Sequence, residues 1–303
     1  MLTRVKSILR PFVPSGLRNW RARAIRARQN RLVRDTERIF LNAPKTPEWL
    51  SRQELEELCV KYAYTHSYGY DAASFERRGK ERSAQILKEL PDPVLMEFLD
   101  LACMDGMTAA ALQARGKKCW GVDRDGRSFD ARARAAGVHL EEMDALALAI
   151  PDGRFDVVYS FNAFEHFADP AAALNEALRV TRPGGYVYLH FGPLYGSAKG
   201  MHAYYQIPVP YCQFLFPLEM MNAYLREQGK GELDPQHCNG WPVQRYRDVW
   251  NSVLDRAEII TNTEHTYTSA LELVAQYPSC FRSKTDRFED LVVSAFHVVF
   301  RKR

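Results

Sequence analysis

Apolar residues in this chain follow two rhythms, and the switching between them marks out the architecture. Short continuous apolar runs bounded by turn residues occur at 98–101, 119–122, 138–140, 155–160 and 186–191. Runs of that length without polar alternation are the mark of strands buried on both faces of a parallel sheet. Between them the apolar spacing changes to three and four. Thr108 to Gln113 reads as a short alanine-rich helix stopped by Gly116. Leu174, Ala177, Leu178 and Thr181 form a helical stripe that runs to the breaker Arg182-Pro183-Gly184-Gly185, and Asp169-Pro170 in front of it supplies an N-cap and a first helical residue. A last amphipathic helix is read from Pro242 to Ala257, with Tyr246, Val249, Trp250 and Val253 inward. A sixth strand is expected at 257–261 and a closing antiparallel strand at 291–300. Strands alternating with helices predict an α/β fold, a doubly wound, mostly parallel seven-stranded sheet.

Two stretches do not belong to that alternation. Leu41 to Pro93 reads as two or three helices. The first starts at the cap Thr46-Pro47-Glu48 and buries Leu50, Leu55, Leu58 and Cys59. A tyrosine-rich loop with Tyr62, Tyr64, His66, Tyr68 and Tyr70 follows. The next helix covers 75–90, with Ile86, Leu87 and Leu90 inward and Glu76, Arg77, Arg78, Lys80, Glu81 and Arg82 as a solvated face. The second stretch, Gly192 to Gly240, begins where the fifth strand ends, beside the crevice of such a sheet. It is rich in aromatics, carries His202 and His237, and is kept from regular helix by Pro208 and Pro210. It reads as a lid over a substrate; a helical hairpin that meets a second copy of the chain is the alternative. The organisation expected is a basic arm (1–40), a helical segment (41–92), a nucleotide-binding core (93–191), the insertion (192–241) and the rest of the core (242–303).

Composition adjusts this picture in three places. No run of eighteen apolar residues is present, so no membrane-spanning helix is expected, and the first residues lack the apolar stretch and cleavage site of a secretory signal. Six cysteines without a Cys-x-x-Cys pair predict reduced thiols and a cytoplasmic protein. A zinc set of Cys212, His237 and Cys238 has the wrong spacing for a finger, and no metal is expected. The charge is uneven. Residues 1–40 hold eleven Lys or Arg against Asp35 and Glu37, a net +9, which leaves −5 for the remainder of a chain whose total is +4. With Phe12 and Trp20 among its arginines, this arm is read first as a solvated or packed segment. Peripheral contact with an anionic membrane surface comes second, and nucleic acid last, because no RNA-binding module accompanies it.

The candidate chemistry lies in LMEFLDLACMDGMTAAALQARGKKCWGVD, residues 95–123. A strand ending in an acid (Asp100), a small-residue turn to Gly106, a helix and a second strand ending in Asp123 place backbone N–H groups and a helix start at one crevice. Asp123 suits the two hydroxyls of a ribose. A dinucleotide fingerprint needs glycines where this chain has Ala102, Met104 and Met107, so NAD and FAD are not expected. S-adenosylmethionine has the ribose and adenine without a phosphate. The order Asp-Leu-Ala-Cys-Met-Asp-Gly, then Gly-Val-Asp, Asp144-Ala145, Phe-Asp-Val-Val, Glu-His-Phe-x-Asp-Pro and Arg-Pro-Gly-Gly-Tyr resembles the class I S-adenosylmethionine-dependent methyltransferases, in their small-molecule (type 11-like) branch, over residues 93–191. The resemblance implies a Rossmann-like methyltransferase fold and S-adenosyl-L-methionine as cofactor. Two of the family's glycines are replaced here, by Ala102 and by Met104, whose side chain stands where backbone normally approaches the ligand.

What the resemblance implies for single residues is as follows. Asp100, the backbone of Ala102, Met104 and Gly106, Asp123 with Arg124, Asp144 with Ala145, and Phe161 with Asn162 are expected around the cofactor. An arginine of 77–82 is a second use for that helix, as partner of the methionine carboxylate. His166 and then His202 are the candidate general bases, and Tyr195, Tyr204 and Tyr205 the candidate substrate contacts. The expected function is methyl transfer to a small-molecule acceptor, at oxygen, with sugars or lipid-linked glycans as acceptors and a homo-oligomer as one assembly. A catalytically silent module of the same fold, binding a partner through the insertion or the arm, is the reading from a different class.

Overall fold

The structure is a computed structural model that describes residues 30–63, 69–90 and 94–303. Its sheet is organised by β1 (Glu97–Leu101), which pairs in parallel with β2 (Lys118–Asp123) on one side and with β4 (Phe155–Phe161) on the other. With β3 (His139–Glu142), β5 (Thr181–Phe191), β6 (Ala257–Thr266) and β7 (Val293–Lys302) the order is β3-β2-β1-β4-β5-β7-β6, and β7 runs antiparallel to both its neighbours. All seven residues of β4 are buried, as its unbroken apolar pattern requires. The exception, Asp156, is put to use: its Oδ2 accepts from the amides of Met96 and Glu97 at 2.5 and 2.9 Å, and its Oδ1 lies 2.7 Å from Arg182 Nε. The acid clamps the entry of β1 to that of β4.

Each sheet face carries its own hydrophobic cluster. On one, α6 (Pro170–Val180) and α9 (Val243–Asn251) pack Leu174, Ala177 and Trp250 against Val187, Phe296 and Phe300. α6 starts as its sequence dictates, with Asp169 accepting from Ala171 and Ala172 and Pro170 at the first turn. On the other face, α4 (Met107–Gln113), α3 (Ala72–Glu89) and α5 (Ala131–Ala135) cover Phe98, Tyr159 and Tyr188 with Ala109, Leu112, Ile86 and Ala133. α3 and α4 meet at Gly79, where an added Cβ would lie 2.4 Å from the Met107 carbonyl oxygen. This backbone approach turns one side of α3 inward.

Four expectations change. The first upstream helix after residues 30–42 (α1) is α2 (Arg52–Lys61), which starts at Ser51 and not at Thr46, because Ser51 and Glu54 close a capping box across the first turn. β5 begins at Thr181: the Arg-Pro-Gly-Gly segment ends the helix yet stays in the sheet as a bulge, with Gly184 at φ +78° and the register jumping from Phe155–Thr181 to Val157–Tyr186. Arg78 and Arg82 are half-buried and face the crevice, so that side of α3 is not solvated. Residues 270–292, counted only as part of the rest of the core and given no elements before 291, form α10 (Leu271–Gln276), α11 (Pro278–Arg282) and α12 (Glu289–Val292), so the closing strand starts at Val293.

They join a third cluster with α7 (Cys212–Leu215) and α8 (Leu218–Glu227) of the insertion and with α2. Leu55, Leu58, Phe214, Leu215, Leu273 and Phe281 meet there, with Phe40 at the end of α1. Of the basic arm, residues 1–29 lie outside the described residues, while Thr36 and Phe40 of the helix that follows are buried. The six cysteines are free and buried. No helix among the described residues is long and apolar enough to cross a membrane.

Two outcomes are expected. Gly79→Ala forces α3 off α4 and lowers stability by about 1–3 kcal/mol, the usual penalty for overpacking, read from the urea midpoint. His190 of β5 is held down to about 4 by burial and then by His297 and His265, whose rings both lie 5.6 Å from its own. An unfolded histidine titrates near 6.5. Between those values the unfolded chain binds the extra proton, so this contribution is complete above about pH 6.5 and is lost as pH falls toward 4. His190→Asn should flatten the fall in urea midpoint between pH 7 and pH 4.5; an unchanged profile would assign the acid sensitivity to other groups.

Candidate functional site

The chain leaves β1 toward β2 and returns to β4 on the opposite side of β1, so the carboxyl ends of β1 and β4 diverge and leave a crevice. The turn after β1 bounds it. Ala102 and Met104 both hold positive φ, 61° and 47°, a conformation that costs a non-glycine residue about 1–2 kcal/mol. These are the positions at which the resemblance expects glycine. Asp123, at the end of β2, locks the turn: its Oδ2 accepts from Met104 N at 2.8 Å and its Oδ1 from Asp125 N at 3.1 Å. Each oxygen keeps a further acceptor site for a ligand hydroxyl. Gly106, also left-handed at φ 73°, caps α4 but lines no part of the crevice; it faces Leu140 and Ala133. The structure thus packs it behind the crevice-lining residues.

The crevice has two lobes that share Ala102, Met104, Asn162 and His166. The first, of about 300 Å³, is lined by Asp123, Arg124, Asp144, Ala145, Leu146 and Phe167. Asp144 Oδ1 accepts from Leu146 N at 2.9 Å. The second, of about 350 Å³, is lined by Asp100, Phe161, His202, Tyr204 and His237, together with Tyr70, Arg78, Arg82 and Glu165. Met104 is 40% exposed and stands between the lobes. Arg78 is anchored by its bond to the Gly69 carbonyl at 2.6 Å, and the Arg82 guanidinium lies 4.9 Å from the Phe161 ring centroid. Burial raises Asp100 to about 8, against the pull of Arg82. Two of the expected tyrosines stand apart from the crevice. Tyr195 lines a separate cavity with Trp49 and Gln213, because the chain turns away at Leu194, whose amide bonds Ser294 O. Tyr205 is exposed and packs on Tyr204 at 4.8 Å without lining the crevice.

The turn after β4 sorts its side chains by chemistry. Phe164 and Phe167 pack together at 5.1 Å, Phe164 against Phe191 in the core, while Glu165 and His166 point to the crevice. Asn239 of the insertion fixes this turn: its side chain donates to the carbonyls of Phe164 and Phe167 at 2.8 and 3.0 Å, and its amide to Glu165 O at 2.9 Å. That contact brings His237 to His166, whose Nδ1 donates to His237 O at 2.5 Å. His202, with φ 55°, donates from Nε2 to Pro193 O at 2.9 Å. The rings of His166, His202 and His237 lie 4.6 to 5.4 Å apart. Burial lowers all three, His202 to about 4. Glu165 is 1% exposed; burial raises it to about 7, and Oε1 accepts from Gly192 N at 3.0 Å. Cys212, by contrast, lies in the third cluster, away from His237. Sequence reading did not assign Glu165 or Asn239, and it reached Arg78 and Arg82 only as members of the 77–82 run. Of these, only Glu165 stood inside a recognised motif.

A seven-stranded, mostly parallel sheet of this order, with acids closing two neighbouring strands at the switch point, is a doubly wound, Rossmann-like architecture. Residues 99–189 match the family model described as a methyltransferase domain. An uncharacterized methyltransferase of Mycobacterium sp. strain JLS is 38% identical over 111 residues, 35% of this chain and 44% of that protein. A demethylmenaquinone methyltransferase of Thermus thermophilus is 38% identical over 127 residues, 38% of this chain and 56% of that protein. A ubiquinone biosynthesis O-methyltransferase of Leptothrix cholodnii is 29% identical over 48% of this chain and 67% of that protein. The match thus spans about half the length of the first two relatives. The YcgJ protein of Bacillus subtilis superposes with a TM-score of 0.45 at 18% identity, over 74% of this chain and 98% of that one.

Met104→Gly should leave the protein at least as stable as the parent, since relief of the left-handed strain offsets the flexibility that glycine adds. A thermal midpoint several degrees lower would show that the Met104 side chain itself holds the turn.

Proposed function

We propose that this chain transfers a methyl group from S-adenosyl-L-methionine to a small-molecule acceptor, at oxygen. The observation that carries this reading is the two-lobed crevice at the switch point, with Asp123 and Asp144 in one lobe and arginines, a buried glutamate and histidines in the other. The cofactor fits the residues present. Asp123 offers acceptors to a ribose, Asp144 to an adenine amino group, the Ala102–Met104 turn allows close approach, and Arg78 and Arg82 suit the methionine carboxylate as planar donors. When bound, the cofactor supplies an electrophilic methyl group on a sulfonium. The chain's own part is to hold the acceptor in line, which can contribute about 7–11 kcal/mol, to exclude water, and to take the acceptor's proton. Glu165, His166 and His202 line the second lobe and are the groups assigned to that last task. The small size of the lobe suits a metabolite, and quinone precursors, sugars and lipid-linked glycans are the acceptors to screen. Contact of the arm with an anionic membrane would suit the lipid-linked class.

The second reading, a silent binding module, draws on one observation: the Met104 side chain between the lobes. Calorimetric titration with S-adenosylmethionine and S-adenosylhomocysteine separates the two. Binding at micromolar concentration is expected, weakened roughly 10–100-fold in Asp123→Ala, Asp144→Ala and Arg82→Ala, the worth of a hydrogen bond to a charged group. No heat at millimolar ligand from folded protein would sink the enzyme reading and leave the module.

A further inference from the structure

We propose that His166, His202 and His237 form a binding site for one divalent transition-metal ion, zinc by preference, with a fourth coordination position open to the crevice. The three residues come from two distant parts of the chain, the turn after β4 and the insertion. The structure nevertheless sets one ring nitrogen of each within 4.8 Å of one from the others. Three imidazoles and no thiolate is the ligand set of an open zinc site, in which the fourth position holds water or substrate. Nitrogen donors favour zinc, copper or nickel over magnesium or calcium, which take oxygen. Tetrahedral ligation at about 2.0–2.1 Å brings nitrogens closer together than they stand here, so the rings close in on the ion.

Proximity alone does not make this a site; the outer contacts do. A metal-binding histidine almost always gives its other ring N–H to a carbonyl or carboxylate. Two of the three already do so. A carbonyl only accepts, so His166 carries its proton on Nδ1, toward His237 O, and His202 carries its proton on Nε2, toward Pro193 O. Each is left with one unshared lone pair, on Nε2 and Nδ1 respectively. A second, independent observation is Glu165. It is buried at the same lobe, its Oε1 lies 3.9 Å from His166 Nε2, and its Oε2 has no hydrogen-bond partner among the described residues. A buried carboxylate oxygen without a donor calls for one, and water on a bound ion is such a donor. His202 is also held at positive φ, backbone strain of the kind that gathers at ligand clamps. One consequence rests on the methyl-transfer reading: an acceptor oxygen in the open position would be acidified by the ion, in place of an imidazole acting as base.

Zinc binding is measured apart from any methyl transfer, on full-length protein stripped with a chelator and titrated with zinc chloride, then with cobalt chloride. One ion per chain is expected, with a rise in thermal midpoint. The double variant His202→Ala/His237→Ala should bind at least about tenfold more weakly, the low end of what a single outer contact is worth. His265→Ala, beside the other histidine group at His190 and His297, should bind as the parent does. S-adenosylhomocysteine titration reports separately on the cofactor lobe. The cobalt form should show tetrahedral visible bands without a thiolate charge-transfer band, a readout that needs no variant. Failure to bind at millimolar zinc, unchanged affinity in the double variant, or a thiolate band from Cys238 would each overturn the site.

Discussion

The pairing of β1 with β4 is the constraint from which the rest follows. Because β1 lies between β2 and β4, the chain must leave it on one side and come back on the other. Two loops therefore diverge above the centre of the sheet, where β1 and β4 are buried on both faces. The buried Asp156, bonded to the amides at the entry of β1, fixes the stagger of that pair. With the stagger set, the ends of β1, β2 and β4 fall side by side, and so do Ala102, Asp123 and Asn162. No individual residue has to be directed to the crevice; strand lengths and register deliver them.

Much of this could be read from the chain because it is written locally. Buried strands announce themselves as unbroken apolar runs, and α6 carries its own start in Asp169-Pro170. Asp123 and Asp144 are found by their place after strands. What the sequence hid is what depends on distant partners. Arg78 and Arg82 look like a solvated face, since charge pattern alone cannot show that Gly79 brings α3 into backbone contact with α4 and points that face inward. The meeting of His237 with His166, seventy-one positions apart, rests on the side chain of Asn239, a residue whose role has no local signature. Tyr195 and Tyr204 are equally good aromatics on paper, and only the turn at Leu194 sends them to different cavities.

The left-handed turn at Ala102 and Met104 shows two physical demands in conflict. The crevice needs backbone to approach a ligand, which favours glycine, while this chain carries side chains there and accepts the torsional strain. Asp123 holds the turn by binding the Met104 amide. The same carboxylate thus supports the wall of the crevice and faces into it, so turn geometry and ligand affinity are coupled through one residue.

The third hydrophobic cluster ties together stretches that lie far apart in the chain. It is assembled from α1 and α2, the insertion, and the helices between β6 and β7, with Phe214 stacked on Phe281 at 5.4 Å. This cluster is therefore a composite of three separately encoded pieces. None of them buries its apolar side without the other two. Such a cluster is inherited or lost as a unit: a chimera that moved residues 192–241 alone into another scaffold would carry a fragment of a core and leave its counterpart exposed on the donor.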